Sequence, residues 1–450
     1  LSSAASDVYK RQIAMVSSQM GDFCAYLNST NKFLSLVGNV IDPQTDTTVE
    51  QVKMDVYSEL ASMLYKYYPD KIMNFLQMLL ENLESQNDDK KIKEIANKLV
   101  QSCLISGNYH NALEYIGKII SRTPRSSFNP KDKNFNLNYF LVNMVTLEIY
   151  YNLGRLNECI ELADELFKYI DLSEGTQNIL PEGFSKKQFD DAILDALFFV
   201  SLSRIIQLKF DAKEHIQTII EKTPQNYTCF KLLLLLADFL TGEDIIPQMK
   251  QIAQQGLNDK YSQILFPMLQ AMISLKFQDW NNLGNYIYNA KIQDSSLHFH
   301  QMELFCELMI GYAYQNLGNL KKASQIYLSI TDTSSDKSLK NITYLSWYLN
   351  AKIEFQQGNL EIAANILNNA MLSMENDENI SDYFIMLFKT FYAELMLHRS
   401  KFEEALFCTE QAFDIAVKNR LVLNLPHIAD MLAFISVSYT HLRAHETRSN

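Results

Sequence analysis

Apolar residues recur every three or four positions along most of this chain, and short polar turns interrupt them. Residues 310–330, IGYAYQNLGNLKKASQIYLSI, show the pattern. A helix containing the small residue Gly311 is followed by a turn at Leu317-Gly318-Asn319 and by a second helix. The apolar positions of the second helix would share one face: Leu320, Ala323, Tyr327 and Ile330. The pattern predicts a helix, a tight turn and a second helix.

The same arrangement recurs in other segments. Clear copies are centred on Gly107, Gly154, Gly358 and Ser400, where serine stands in place of glycine. Weaker copies surround Gly242 and two segments without glycine at the turn. In those two, Ala212 and Leu283 are expected five residues after the turn residue. With 13 glycines and 9 prolines, the chain is also poor in the residues that turn-rich all-β folds need.

These segments resemble the tetratricopeptide repeat, a helix-turn-helix unit of about 34 residues. The resemblance covers residues 49–435 and is closest over 304–416. It implies an all-α fold, a right-handed superhelical solenoid of antiparallel helix pairs that share one core. The spacings from Ala323 to Ala363 and from Ala363 to Ala405 are 40 and 42 residues. We therefore expect longer helices or longer loops than the family pattern has.

The two ends of the chain do not share this pattern. Residues 2–12, SSAASDVYKRQ, and residues 437–447, VSYTHLRAHET, resemble translated transposase adapters of a sequencing library, so the chain is interpreted as a metagenomic fragment. Five regions are expected from this: an adapter-derived tail at 1–12, a truncated helical segment at 13–48, degenerate repeats at 49–300, clearer repeats at 301–435, and a second adapter-derived tail at 436–450.

The charge balance is acidic, with 52 Asp and Glu against 40 Lys and Arg and a net charge of −12. Binding to nucleic-acid phosphates needs clustered basic residues, so no nucleic-acid partner is expected. The six cysteines are scattered without a CxxC pair, which favours reduced thiols and a cytoplasmic protein. The longest apolar run, FKLLLLLADFL, is too short to cross a membrane.

The sequence contains no motif that carries enzyme chemistry. GxGxxG, the phosphate-binding P-loop, HExxH and GxSxG are all absent. His298 and His300 lie two residues apart, so on a helix they would point to different faces and make a poor metal pair. We therefore expect no enzyme, no cofactor and no metal. Two long loops stand out, at 121–135 and 171–188, and an enzyme site in the second is kept as a remote alternative.

In the tetratricopeptide family, the first helices of successive repeats line a concave groove. The resemblance therefore implies these partner-binding residues: Tyr312, Gln315, Asn316, Tyr348, Lys352, Gln356 and Glu394. Tyr312, Tyr348 and Lys352 would form an aromatic and basic wall suited to an extended or helical peptide. The alternative is that some of these aromatic side chains pack between repeats.

The expected function is that of a protein–protein interaction scaffold, which binds a peptide or a partner subunit in this groove. A second interpretation stays open. The degenerate repeats also resemble the C-terminal arrays of bacterial regulators. On that interpretation the chain is the sensor arm of a larger signalling ATPase, kinase or transcription regulator, whose catalytic domain would lie upstream.

Overall fold

In this computed structural model, the described residues are 69–86, 88–129, 132–170, 186–223, 227–294, 299–375, 377–421 and 424–449. These ranges hold eighteen helices and no β-strand, and their one isolated bridge joins Ser127 to Phe135. The expectation of an all-α fold is confirmed. The regions predicted at 1–12 and 13–48 lie outside the described residues.

The helices are numbered in chain order: α1 Pro69–Gln86, α2 Asp89–Ser106, α3 Tyr109–Ser121, α4 Leu137–Asn152, α5 Leu156–Phe167, α6 Lys186–Ile206, α7 Ala212–Lys222, α8 Thr228–Leu240, α9 Ile246–Gln255, α10 Lys260–Lys276, α11 Trp280–Asp294, α12 His300–Asn316, α13 Leu320–Asp336, α14 Lys340–Gln356, α15 Leu360–Glu375, α16 Asp382–His398, α17 Phe402–Lys418 and α18 Leu425–Ser449.

The chain divides into two compact units, Leu1–Ser106 and Gly107–Asn450. In the first unit, α1 packs against α2. The helix α1 begins at Pro69, which suits a first turn because its missing N–H has no partner there anyway. Leu76 and Leu99 are fully buried, and the Cys103 Sγ lies 3.6 Å from the Met73 Sδ. The described part of this unit is therefore a helix pair with its own apolar contacts.

The second unit is built from helix pairs joined by tight turns. Within each pair from α4–α5 to α16–α17, the turn that joins the two helices contains one residue with a positive φ: Gly154, Leu208, Gly242, Gln278, Gly318, Gly358 and Ser400. The turn predicted at Leu317-Gly318-Asn319 lies between α12 and α13 as expected. One turn differs, because Ala212 lies four residues after the left-handed Leu208 rather than five.

Long helices account for the long repeat spacing. From α12 to α17 every helix is 16 or 17 residues long. The small residues of the repeat pattern are buried between them, since Ala323, Ala363 and Ala405 have no exposed surface. Gly311 faces the ring of Tyr327, and a side chain at that position would overlap the ring. These close approaches give the helix pairs of a tetratricopeptide-like fold.

A large apolar core runs through the helices from α4 to α12. Phe198 and Tyr261 stack with their ring centroids 3.7 Å apart. Phe299, which precedes α12, contacts Tyr151 on α4 at 5.9 Å and Phe199 on α6 at 5.7 Å. Aromatic rings from four parts of the chain thus meet in one cluster, and such ring pairs stabilise a core beyond their buried area.

The last helix runs past the expected boundary of the repeats. Met431 and Ile435 are buried, and α18 continues through the predicted tail as far as Ser449. The helical pattern therefore does not end at residue 435, and the adapter origin of the tail stays a prediction. Among the described helices, none combines the length and apolar character that a membrane span requires.

Candidate partner-binding face

The first helices of three successive pairs, α12, α14 and α16, pack side by side. Tyr312, Lys352 and Glu394 each lie six residues before the left-handed turn residue of their own pair. Equal positions on neighbouring helices of a repeat array fall on one face. Tyr312 and Glu394 are both close enough to raise the pKa of Lys352. We call this surface, formed by Tyr312, Tyr348, Lys352, Gln356 and Glu394, the first-helix face.

Lys352 is held between two aromatic rings. Its Nζ lies 4.8 Å from the ring centroid of Tyr348 and 5.6 Å from that of Phe391. Burial works to lower the pKa of Lys352, but the Tyr348 hydroxyl, Glu394 and Tyr312 together raise it above its ordinary value. The ammonium group is therefore charged at neutral pH, and the rings stabilise the charge by a cation–π interaction.

The aromatic side chains of the face divide into two kinds. Tyr348 contacts Phe388 and Phe391 of the next pair, with centroid distances of 5.6 and 5.7 Å. Tyr312 is 38% exposed. The alternative expected from sequence, packing between repeats, therefore describes Tyr348, whereas Tyr312 offers its ring to solvent.

The amide side chains of the predicted set also differ in availability. Gln315 is 7% exposed, and it accepts a hydrogen bond from the Tyr327 hydroxyl at 3.1 Å. Its Nε2 donates to the Gln356 Oε1 at 3.0 Å, which ties α12 to α14. Asn316 and Gln356 are exposed, although the Asn316 Nδ2 also donates to the Tyr312 carbonyl at 2.8 Å. Gln315 is thus a link between repeats.

All seven predicted residues lie on α12, α14 and α16, and most of them contact or influence another member. Phe391, one of the two rings beside Lys352, was not predicted. The family positions used for the prediction count only residues that face the groove, and Phe391 lies three residues before Glu394, toward the neighbouring helix. The relevant signal was the helical spacing of Phe388 and Phe391 in α16.

A polar cluster near the large core contains Glu148, whose position in its own helix pair corresponds to that of Lys352. Glu148 lies six residues before Gly154, as Lys352 does before its own turn residue. Burial raises the pKa of Glu148 to about 8, Asp195 adds to the rise, and Lys260 opposes it. Asp195 pairs with Lys260 at 2.5 Å and accepts the hydroxyl of Tyr261 at 2.9 Å. Here Asp195, Lys260 and Tyr261 pair with one another beside the Glu148 carboxyl.

Distant parts of the second unit meet at the loop that leads into α16. The Asn157 backbone N–H donates to the Asn379 Oδ1 at 3.1 Å, and the Gln207 Nε2 donates to the Asn379 carbonyl at 2.6 Å. The Ser381 hydroxyl donates to the carbonyl of Ile206. The same end of α6 packs against the aromatic cluster between α14 and α16. These contacts hold the third helix of the first-helix face in place.

The described residues contain no group of three or more His, Cys, Asp or Glu side chains that could hold a metal ion. Of the two histidines considered in the sequence, His298 lies outside the described residues. The His300 Nδ1 lies 3.1 Å from the Lys337 Nζ, and its ring contacts Tyr109 edge-on. His300 therefore packs at the start of α12.

No protein-family description matches the chain, and a comparison with curated proteins finds no relative. Solved structures of low similarity do match. Yeast Tom70 has a TM-score of 0.40 and 10% identity, covering 99% of this chain and 100% of its own. A Rap protein complexed with competence and sporulation factor has a TM-score of 0.39 and 9% identity, covering 87% and 99%.

A third similar structure is the Cut9–Hcn1 hetero-tetramer of the APC/C, with a TM-score of 0.30, 11% identity, and coverage of 97% of this chain and 92% of that one. These scores are too low to carry an argument about this chain. Its assignment to the class of all-α helical-repeat proteins rests on its own helix pairs, their left-handed turn residues and their buried small residues.

Proposed function

We propose that this chain is a non-enzymatic interaction scaffold that binds a peptide or a partner subunit on the first-helix face. The observation that carries the proposal is the state of Lys352. Its ammonium group is charged, lies beside two rings and forms no ion pair within the described residues. A charge in such a position can pair with an acidic group of a partner.

The neighbouring residues supply the other elements of a peptide-binding surface. Tyr312 presents a partly exposed ring, and aromatic residues of this kind commonly anchor interfaces. Asn316 and Gln356 are exposed amides beside it, and amides can both donate to and accept from a peptide backbone. The face therefore suits a segment with an apolar anchor and an acidic side chain or carboxyl terminus.

Phage display of random peptides on the purified chain tests the proposal. We expect enriched peptides to contain an aromatic or aliphatic residue and an acidic residue. Lys352→Met keeps the side-chain length and removes the charge, and Tyr312→Ala removes the exposed ring. Each should weaken the enriched peptides about tenfold, the effect of about 1.4 kcal/mol.

The matched control is Leu372→Ala on α15, a second-helix residue that is 60% exposed. It removes similar apolar surface away from the first-helix face and should leave binding unchanged. Peptides that bind all four proteins equally would overturn the proposal, and so would a display experiment without enrichment. Thermal unfolding of each variant separates a loss of binding from a loss of folding.

A further inference from the structure

The described residues of the loop between α3 and α4, 122–129 and 132–136, pack against α4. Phe128 stacks on Tyr139 at 5.5 Å and meets Phe140 edge-on at 6.4 Å. Phe135 contacts Phe140 at 5.9 Å. Two aromatic side chains therefore anchor the loop to α4, and the Ser127–Phe135 bridge brings its two arms together. Long loops held by their own side chains are frequently functional.

The described residues of the loop line an open polar hollow of about 360 Å³, at which Arg125 and Lys133 are exposed. Six polar residues line it: Arg125, Ser126, Ser127, Lys133, Asn134 and Asn136. No carboxylate is among its lining residues. The volume lies within the range of small-molecule sites, which begins at about 300 Å³. A site of this size can hold one small polar group and a few atoms attached to it.

The two charged lining groups, Arg125 and Lys133, are donors only, whereas the Ser127 Oγ and the Asn136 Oδ1 each accept a backbone N–H. Neither Arg125 nor Lys133 forms an ion pair in the part of the chain that the structure describes. The Ser126 hydroxyl is enclosed and has no hydrogen-bond partner there. A buried hydroxyl without a partner is unusual because it forfeits hydrogen bonds that it would make in water. All three groups would be satisfied by one anion in the hollow.

The charge of the hollow contrasts with that of the chain. The whole sequence carries a net charge of −12, yet two cations without an ion pair in the described residues line this hollow. A phosphoryl group offers three acceptor oxygens and a charge of about −1.5 to −2 at pH 7. A guanidinium, an ammonium and a hydroxyl can each donate to a different oxygen. A carboxylate has only two oxygens and one charge, so it matches the donors less completely.

We propose that this hollow binds the phosphoryl group of a phosphate monoester. Arg125 and Lys133 supply the charge, and Ser126 supplies a neutral hydrogen bond. The site lies on the α3–α4 loop and shares no residue with the first-helix face. A test of phosphate binding is therefore independent of the proposed interaction function.

Calorimetric titration of the full chain at constant ionic strength tests the proposal. The probes are inorganic phosphate, O-phosphoserine and acetate. We expect both phosphates to bind and acetate to bind at least about tenfold more weakly, because it lacks the second charge and third oxygen. Tighter binding of O-phosphoserine than of inorganic phosphate would identify a phosphorylated ligand, and the reverse order would identify the free ion. Either order supports the site.

Arg125→Gln combined with Lys133→Gln should lower phosphate affinity at least about tenfold, since both charged donors are lost. Lys222→Gln combined with Lys250→Gln removes the same charge from exposed positions on α7 and α9 and is the matched control. An equal loss in both double variants would show general attraction and overturn the site. Unchanged affinity in the first would also overturn it.

Ser126→Ala supplies a readout that a merely structural role would not give. Because the hydroxyl has no partner in the described structure, its removal should leave the thermal stability of the free chain unchanged. Phosphate affinity should fall a few-fold, as expected for one neutral hydrogen bond. A variant that loses stability but keeps its phosphate affinity would contradict the assigned role.

Discussion

The helices α4 to α11 and the helices α12 to α17 follow the same repeat plan. The side chains on the first helix of each pair, however, have different surroundings in the two parts. In the earlier part, Phe198 stacks on Tyr261 and meets Phe299, just before α12, edge-on in a continuous core. In the later part, Tyr312 is partly exposed and Lys352 forms no ion pair with any residue that the structure describes. The repeat plan thus sets where a side chain lies, and the neighbouring residues decide whether it is enclosed.

Glu148 and Lys352 show the consequence for charge. Both lie six residues before a left-handed turn residue. Burial and Asp195 raise the pKa of Glu148 to about 8, so its carboxyl is largely neutral at pH 7. Lys352 stays charged because the tyrosine hydroxyls and Glu394 offset the effect of burial on its pKa. Equal positions, both partly buried, therefore give a largely neutral carboxyl in one part and a charged ammonium group in the other.

The largest difference between the two parts should appear when an aromatic ring is removed from each. Phe198 has no exposed surface and stacks on Tyr261, so Phe198→Ala should lower the free energy of unfolding by about 3–5 kcal/mol. Tyr312→Ala, on the first-helix face, should change it by less than about 1 kcal/mol. Chemical denaturation of both variants measures the difference. Equal losses would show that the later part is as closed as the earlier one.

The second difference is the pH dependence that Glu148 confers. Its pKa is raised from 4.5 to about 8 on folding, so the folded state retains a proton that the unfolded state releases. This contribution is complete below pH 4.5 and is lost as the pH rises through about 8. We expect Glu148→Gln to retain on the order of 1–3 kcal/mol more stability than the parent across this range.

Denaturation at several pH values between 5 and 9 would measure that effect. Glu161→Gln on α5 changes an exposed carboxyl in the same way and is the control, which should leave the pH profile of the parent chain unchanged. Parallel profiles for the parent and Glu148→Gln would mean that the carboxyl is not held neutral in the folded chain.

A third comparison, between α12 and the earlier helix α3, concerns how closely neighbouring helices approach each other. Gly311 on α12 faces Tyr327, and an added Cβ would overlap that ring. Gly311→Ala should therefore lower the melting temperature and cost about 1–3 kcal/mol. A Cβ added at Gly117 on α3 would meet no other part of the protein within 4 Å. Gly117→Ala should therefore stabilise the chain by up to about 1 kcal/mol, because alanine has the higher helix propensity. Changes of the same sign would show that close packing is not decisive at Gly311.

The repeat frame was predictable because turns and small residues leave local signals. Gly318, Gly358 and Ser400 were placed correctly from spacing alone. Leu208 was not, because no local pattern indicates that a leucine will adopt a positive φ. The hollow at 122–136 was also missed. Arg125 and Lys133 are brought together by aromatic anchoring of the loop to α4, and sequence spacing does not encode that contact.

The smallest expected effect concerns the turns that both parts share. Ser400 has a φ of 59° and is exposed, whereas the equivalent Gly358 has a φ of 83°. A non-glycine residue in this region carries a penalty of about 1–2 kcal/mol, and glycine adds flexibility to the unfolded chain that cancels part of the gain. We expect Ser400→Gly to stabilise the chain by about 0.5–1 kcal/mol and Gly358→Ser to destabilise it by a similar amount. Thermal unfolding of the two variants measures both changes in stability. If both substitutions destabilise, Ser400 contributes a contact that outweighs its backbone strain, and the two turns are not equivalent.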